Sequence, residues 1–251
     1  MRLKVTISFD KNGLALPMNY QQILQGFIYR QLDSDLEFCA FLHENGYKYE
    51  KRRFKAFTFS RLFGKTKYNK ESKQIIFYGP VTWYIGSAIP KFIQLLGQSL
   101  LLKDDLHINY TKISIDEIQY EKEPQIKNNK IMIKMLSPIT IYSTFENQEG
   151  KKLTQYFSPF DPAFSFLIGE NSRKKYEAFF QEAFTDHVQI TPVSIQKHDK
   201  VVTKFKSIYI TAWNGIYELE GPIPMLNFLY NSAIGGKNSQ GFGMFEILKQ
   251  N

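Results

Sequence analysis

His43 is the residue whose type and setting most invite chemistry. An imidazole has an unperturbed pKa of ~6.5, so it can take or give a proton near neutral pH. This one stands just before the most cationic stretch of the 251-residue chain. Between Lys48 and Lys70 there are nine bases (Lys48, Lys51, Arg52, Arg53, Lys55, Arg61, Lys65, Lys67 and Lys70) against the single acid Glu50. That stretch carries the whole formal charge of +8, and the rest of the chain is neutral. A proton-transfer group beside a concentrated positive field suits an anionic substrate. The cations are interleaved with Tyr49, Phe54, Phe57, Phe59, Phe63 and Tyr68, which matches a polymer offering both phosphates and stackable bases. Two plainer readings stand beside this one. A strand pair with aromatics inside and lysines in water shows a similar pattern, and His43 continues the stripe of Leu36, Cys39 and Ala40 as a surface or half-buried histidine would.

Other chemistries find less to work with. His107, His187 and His198 are scattered without ligand spacing, and Cys39 is the only cysteine. No metal site, redox pair or internal disulfide is therefore expected, and a reducing cytosol fits. The run Ile234-Gly235-Gly236-Lys237-Asn238-Ser239-Gln240-Gly241-Phe242-Gly243 can turn tightly and present N–H groups beside the donors of Lys237, Asn238 and Ser239, a combination suited to phosphate oxygens. It has neither the P-loop spacing nor the dinucleotide fingerprint, so ATP and NAD are disfavoured and no cofactor is expected. Its glycines would serve equally to cap a helix in a plain αβ turn.

These residues need elements to hold them. With 43% hydrophobic residues the chain can build real cores, and disorder is excluded. Met1 to Phe9 alternates as a strand rather than running apolar as a signal peptide, and Phe92 to Leu102 falls short of the ~20 residues of a membrane helix. A helix follows from Tyr20 with Asn19 as cap, then a second with the capping box Ser34-x-x-Glu37 and a stop at Gly46. Phe54 to Phe63 and Gln74 to Ile85 read as strands around a turn at Gly64 to Ser72, Ser87 to Leu102 as a helix, and Leu106 to Tyr120 as a strand with a bulge at Thr111-Lys112. The order β-α-β-β-α-β is the ferredoxin-like unit.

Glu121 to Lys130 is polar and turn-prone and marks the boundary between expected domains 1–121 and 122–251. The same order then repeats: a strand at Lys130 to Ser143, one at Leu153 to Phe157, a helix at Pro162 to Phe184, strands at His187 to Ile195 and Lys204 to Leu219, a helix at Pro222 to Ala233 and a last strand at Phe242 to Leu248. The expected fold class is α+β, two tandem ferredoxin-like (RRM-like) domains.

Two such units ending in a glycine-rich loop resemble the repeat-associated (RAMP) superfamily of CRISPR proteins. Within it the chain is similar to the metal-independent endoribonucleases that cut CRISPR precursor RNA inside its repeats. The resemblance rests on Leu24-Gln25-Gly26-Phe27-Ile28-Tyr29, Phe41-Leu42-His43-Glu44, Lys55-Ala56-Phe57-Thr58-Phe59-Ser60, Leu136-Ser137-Pro138-Ile139, Thr211-Ala212-Trp213 and Gly236 to Met244. Adjacent Gly235-Gly236 departs from the usual loop. The resemblance implies a catalytic trio of Tyr29, His43 and Lys55, without metal, and places the family's glycine-rich loop at Gly235 to Gly243; RNA contacts are expected from Gly235, Gly236, Lys237, Asn238, Ser239, Gly241 and Gly243 of that loop and from Lys48, Lys51, Arg52, Arg53 and Arg61 of the basic stretch.

Such an enzyme needs a base for the RNA 2′-OH, an acid for the departing 5′-oxygen and a cation for the phosphoryl oxygens. His43 suits the first part, Tyr29 the acid or an orienting group, and Lys55 the last. Tyr29 reads equally as a core tyrosine, and Lys48 and Lys51 compete with Lys55. The partner implied is repeat RNA, with an effector complex and a homodimer as further partners it allows and no membrane. A non-cleaving RNA-binding protein of the same fold is the alternative. A DNA-binding regulator lacks the spacing of a helix-turn-helix or zinc finger.

Overall fold

Alternation decides the first element. Leu3, Val5 and Ile7 are fully buried on one side of β1 (Arg2–Phe9), while Lys4, Thr6 and Ser8 are only partly covered, the period-two pattern of a strand with one packed face. In the computed structural model, which describes residues 1–250, there follow β2 (Leu14–Pro17), α1 (Gln21–Gln31) and the short α2 (Leu36–Ala40), which widens into a π-type turn over Phe41–Asn45. A basic hairpin of β3 (Tyr47–Tyr49) and β4 (Arg52–Phe54) precedes β5 (Phe57–Phe59), β6 (Phe63–Asn69) and β7 (Gln74–Ser87). Then come α3 (Pro90–Leu102), β8 (Leu106–Ile108) and β9 (Thr111–Glu121).

β1 lies between β7 and β9, antiparallel to both, with Leu3 opposite Ile85 and Tyr120. β5 and β6 run along the other edge of β7, so this sheet has the strand order of a βαββαβ unit, extended by β2 and β8. α1 and α3 pack Leu24, Phe27 and Ile28 with Phe92, Ile93 and Leu96 in its core. Each side chain buried so fully stabilises the fold by about 1.5–3 kcal/mol.

The second half repeats the plan. Its strands are β10 (Lys130–Met135), the hairpin β11 (Tyr142–Glu146) and β12 (Lys152–Tyr156), then after α4 (Ala163–Phe180) β13 (Gln189–Ser194) and a second hairpin, β14 (Lys200–Phe205) and β15 (Ile208–Trp213). β16 (Ile216–Glu220), α5 (Ile223–Ser232) and β17 (Phe245–Gln250) complete it. The sheet order β13-β16-β10-β17 is again that of a ferredoxin-like unit, and α4 and α5 contribute Phe164, Ile168, Leu226 and Leu229 to its core.

Several local expectations are corrected. Tyr20, not Asn19, caps α1 and does so without a side-chain bond to the helix, since its hydroxyl reaches away to accept from the Leu62 N–H at 3.2 Å. Asp35 rather than Ser34 caps α2, its carboxylate accepting from the Phe38 N–H at 2.9 Å. The stretch read as one strand from Phe54 to Phe63 breaks at Ala56, whose φ is +54°. The turn before β7 is shorter than expected, since β6 runs on to Asn69.

The slip read as a bulge is a hairpin turn at Asn109, φ +56°. Its cause is the left-handed conformation that asparagine tolerates. The run Lys130 to Ser143 ends as a strand at Met135, ahead of Pro138, which lacks a ladder donor. Lys204 to Leu219 divides among β14, β15 and β16, with turns at Lys206 and Gly215 in positive φ.

Side chains from opposite ends of the chain fasten the halves together. Arg2 is buried, donates from Nη1 to the Phe245 carbonyl at 2.6 Å and from Nε to the Tyr230 carbonyl at 3.1 Å, and lies 3.5 Å over the Tyr230 ring. Desolvation lowers its pKa to about 10, which leaves it charged at neutral pH. Nearer the cleft described below, Gln25 Nε2 donates to the Ser239 carbonyl at 2.7 Å and Thr58 Oγ1 to the Phe242 carbonyl at 3.3 Å. Tyr47 packs on Phe179 at 4.6 Å between ring centroids, and Arg173 lies 6.0 Å over the Tyr49 ring. α4 thus holds the basic hairpin of the other half.

Candidate functional site

His43 sits in the π-type turn after α2. That turn is closed by the Gly46 N–H donating to the Phe41 carbonyl at 2.7 Å. Gly46 has φ +61° and a Cβ there would stand 2.5 Å from the Phe54 carbonyl oxygen, so only glycine lets β3 and β4 fold back beside the turn. The His43 side chain is exposed and meets the Tyr29 ring edge-on, 5.3 Å between centroids. Tyr29 comes from α1 and leans on Phe57 of β5 at 5.8 Å. Burial, aided by Cys39, raises the Tyr29 phenol well above its ordinary pKa, so it keeps its proton at any working pH.

Lys55, between β4 and β5, donates from Nζ to the His43 backbone carbonyl. Burial and the neighbouring Arg53 push its pKa down, and Glu44 partly opposes them. An ammonium carries three donors; this one has one N–H engaged in fixing the turn that bears the imidazole.

Tyr29, His43 and Lys55 line one cleft of about 370 Å³. Its opposite wall is made by the β14–β15 turn, including Lys206 and Ile208, and by Lys237, Ser239 and Gln240 of the glycine-rich segment. Lys55, Lys237, Ser239 and Gln240 also line a larger neighbouring cleft of about 680 Å³. One bank there is Lys51, Arg52 and Arg53, and the other is Tyr142 with Gly235 to Gln240. The Lys237 ammonium stands 4.6 Å over the Tyr142 ring, and burial lowers its pKa.

The expected contacts therefore divide. Lys51, Arg52, Arg53, Gly235, Gly236, Lys237, Asn238 and Ser239 come together around the clefts, while Lys48, Arg61, Gly241 and Gly243 line neither. Arg61 faces the Tyr20 ring at 5.6 Å instead. Gly241 and Gly243 are buried and shape the loop from behind. Gly243 has φ +78°, and a Cβ on it would fall 1.9 Å from the Ile234 carbonyl oxygen. Gly243→Ala is accordingly expected to destabilise the protein by at least about 2 kcal/mol, seen as a fall in Tm of roughly 4–8 °C or more by thermal denaturation. An unchanged Tm would mean that the loop has a second conformation open to it.

Two residues went unnoticed in the sequence. Lys175 of α4 is 1% exposed, and its amine donates to the Ala233 carbonyl at 2.7 Å, the Gly235 carbonyl at 3.4 Å and Asn238 Oδ1 at 2.6 Å; burial lowers its pKa to about 7. One turn earlier Asn171 lines the larger cleft with a buried Oδ1 that has no hydrogen-bond partner among the described residues. The available signal was their spacing. With Phe164, Ile168 and Ala178 they complete the buried stripe of α4, where a lysine and an asparagine are out of place.

Chemically, the site can take a proton on an imidazole, give one from a phenol and offset negative charge with a fixed ammonium, beside a basic wall. No group of three His, Cys, Asp or Glu side chains is placed to hold a metal ion among the described residues. Among them, too, no helix is long and apolar enough to cross a membrane.

Comparison with known proteins bears on what this machinery acts upon. Residues 15–119 match the family model for CRISPR-associated protein Cas6, N-terminal, and residues 121–247 that for CRISPR associated protein Cas6, C-terminal. The chain is 28% identical over 246 residues to the CRISPR-associated endoribonuclease Cas6 1 of Methanocaldococcus jannaschii, covering 97% of this chain and 91% of that one. Among solved structures, a CRISPR associated protein Cas6 superposes with a TM-score of 0.79 at 26% identity, over 99% of both chains. A RAMP protein described as binding different RNA substrates superposes with a TM-score of 0.84 at 20% identity, over 99% of this chain and 100% of its own.

Proposed function

The chain belongs to the Cas6 family, and from that premise we propose that the cleft holding Tyr29, His43 and Lys55 is where it cuts RNA. The protein is an endoribonuclease that cleaves CRISPR precursor RNA. The convergence of a histidine, a tyrosine and a lysine from three separate segments onto one cleft carries the reading.

In the proposed reaction the RNA's own 2′-oxygen attacks the adjacent phosphorus while the bond to the 5′-oxygen breaks. The 2′ proton passes to His43, and the leaving oxygen takes a proton from Tyr29. An alkoxide leaving group is basic enough to draw it from a phenol whose pKa lies this high. Lys55 neutralises charge on the phosphoryl oxygens, worth most in a site partly shielded from water. The products are a 2′,3′-cyclic phosphate and a 5′-OH, and return of the proton from His43 to Tyr29 through solvent resets the site.

Among the three lysines weighed for the cation's part, Lys55 is assigned because it alone lines the His43 cleft. Lys51 lines the larger cleft and Lys48 neither. Lys51, Arg52 and Arg53 on one bank and Gly235 to Ser239 on the other are assigned to hold the flanking nucleotides. Residues 1–121 and 122–251 are proposed as the two domains, each supplying one bank, with Asn251 outside the described residues.

The experiment is incubation of a repeat RNA with the protein in excess EDTA. Cleavage at an undiminished rate, leaving 2′,3′-cyclic phosphate and 5′-OH ends, is expected. Loss of cleavage in EDTA, or 3′-OH ends, would remove the metal-free mechanism, and binding without any cleavage would return the alternative of a non-cleaving RNA-binding protein.

A further inference from the structure

We infer that Lys175 is a positioning residue for substrate binding, acting as the pin that holds the glycine-rich loop at its distance from the basic hairpin. The inference rests on the reading above, in which that loop is one bank of the RNA cleft. Lys175 borders the same cleft, but it is 1% exposed and its nitrogen is turned into the loop. Its nitrogen lies within hydrogen-bond reach of three acceptors in the loop: the Ala233 carbonyl, the Gly235 carbonyl and Asn238 Oδ1. The last acceptor links the pin to the loop's own closure. Asn238 Nδ2 donates to the Ile234 carbonyl at 3.0 Å and the Phe242 carbonyl at 3.1 Å, tying the loop's two ends together. One amine and one amide thus fix carbonyls along Ala233 to Phe242.

The helix that carries the pin also grips the other bank. Arg173 and Phe179 of α4 meet Tyr49 and Tyr47 at the two ends of β3, whose hairpin partner β4 begins at Arg52 and whose turn carries Lys51. The gap between the banks is therefore spanned by a single element. A lysine on a buried stripe is costly to keep, since taking its charge from water is only partly repaid by hydrogen bonds, and an apolar residue would fill α4 more cheaply. What the apolar residue would lose is the hold on the loop.

The test uses the full chain and a single repeat RNA. Binding is measured with a copy carrying 2′-deoxyribose at the scissile nucleotide, and single-turnover cleavage with the all-ribose copy. Lys175→Met is expected to raise the half-saturating RNA concentration about tenfold, the equivalent of one charged hydrogen bond, and to leave the saturating cleavage rate within about threefold.

Should Lys175→Met fail to fold, Lys175→Gln carries the same reading, since it keeps two N–H donors on a shorter side chain and is still expected to bind RNA more weakly than wild type with the saturating rate unchanged. A lowered Tm with unchanged half-saturation in either variant overturns the proposal and leaves Lys175 a structural residue. If the wild-type chain does not cleave the repeat at all, the fault lies with the reading of the cleft and not with Lys175.

Discussion

His43→Ala is expected to lower the single-turnover cleavage rate by roughly 10²–10⁴-fold, the usual worth of a general base, while RNA binding stays within about threefold of wild type. Binding is spared because His43 is exposed at the end of its turn and buries little. Its backbone carbonyl, the acceptor for Lys55, survives the substitution. Alanine also suits the turn, so the change removes the imidazole and leaves its frame. A variant that cleaves within about threefold of wild type would show that another group takes the 2′ proton. One that loses binding and cleavage together would show that His43 is part of the RNA-holding surface.

Removing a single oxygen from the substrate should have a still larger effect. With 2′-deoxyribose at the scissile nucleotide no cleavage is expected at that position over many wild-type half-lives, because the attacking atom is missing. Affinity should stay within about threefold, since the phosphates and bases that the basic bank and the loop would engage are unchanged. The result separates this chemistry from attack by water, which would not need the 2′-oxygen. Continued cleavage of the deoxy substrate, read on a denaturing gel, would sink the proposed reaction while leaving the family assignment intact.

The order of elements was legible because both ferredoxin-like units obey strong patterns: the strict alternation of Leu3, Val5 and Ile7, and the apolar stripes of α1 and α3. The split of Lys204 to Leu219 into three strands was not, since β-branched and aromatic residues fill the whole run and the first turn in it falls on a lysine, Lys206, at φ +53°. Charge was legible as a quantity and less so as a direction. The bases of Lys48 to Lys70 pointed to one surface, yet the break at Ala56 and the β3–β4 turn send Lys51, Arg52, Arg53 and Lys55 to the clefts and Arg61 to Tyr20. Tyr29 shows what pattern reading leaves open. A half-buried ring against Phe57 satisfies the description of a core tyrosine, and only its 5.3 Å approach to His43 marks it out. Lys175 was hidden for the opposite reason, because a cation on a helix is read as solvent-facing until the packing around it is known.

The hydrogen bonds of Arg2 join residues 228 and 243 positions apart. Pairings that distant close late in folding, since their loop entropy must be met before they contribute. Tyr29, His43 and Lys55 all lie within residues 1–60, whereas Lys237, Ser239 and Gln240 of the opposing wall come from the far half of the chain. A cleft whose two walls come from such distant segments opens as soon as the halves part, so the proposed site lasts only as long as the junction that Arg2 helps to fasten.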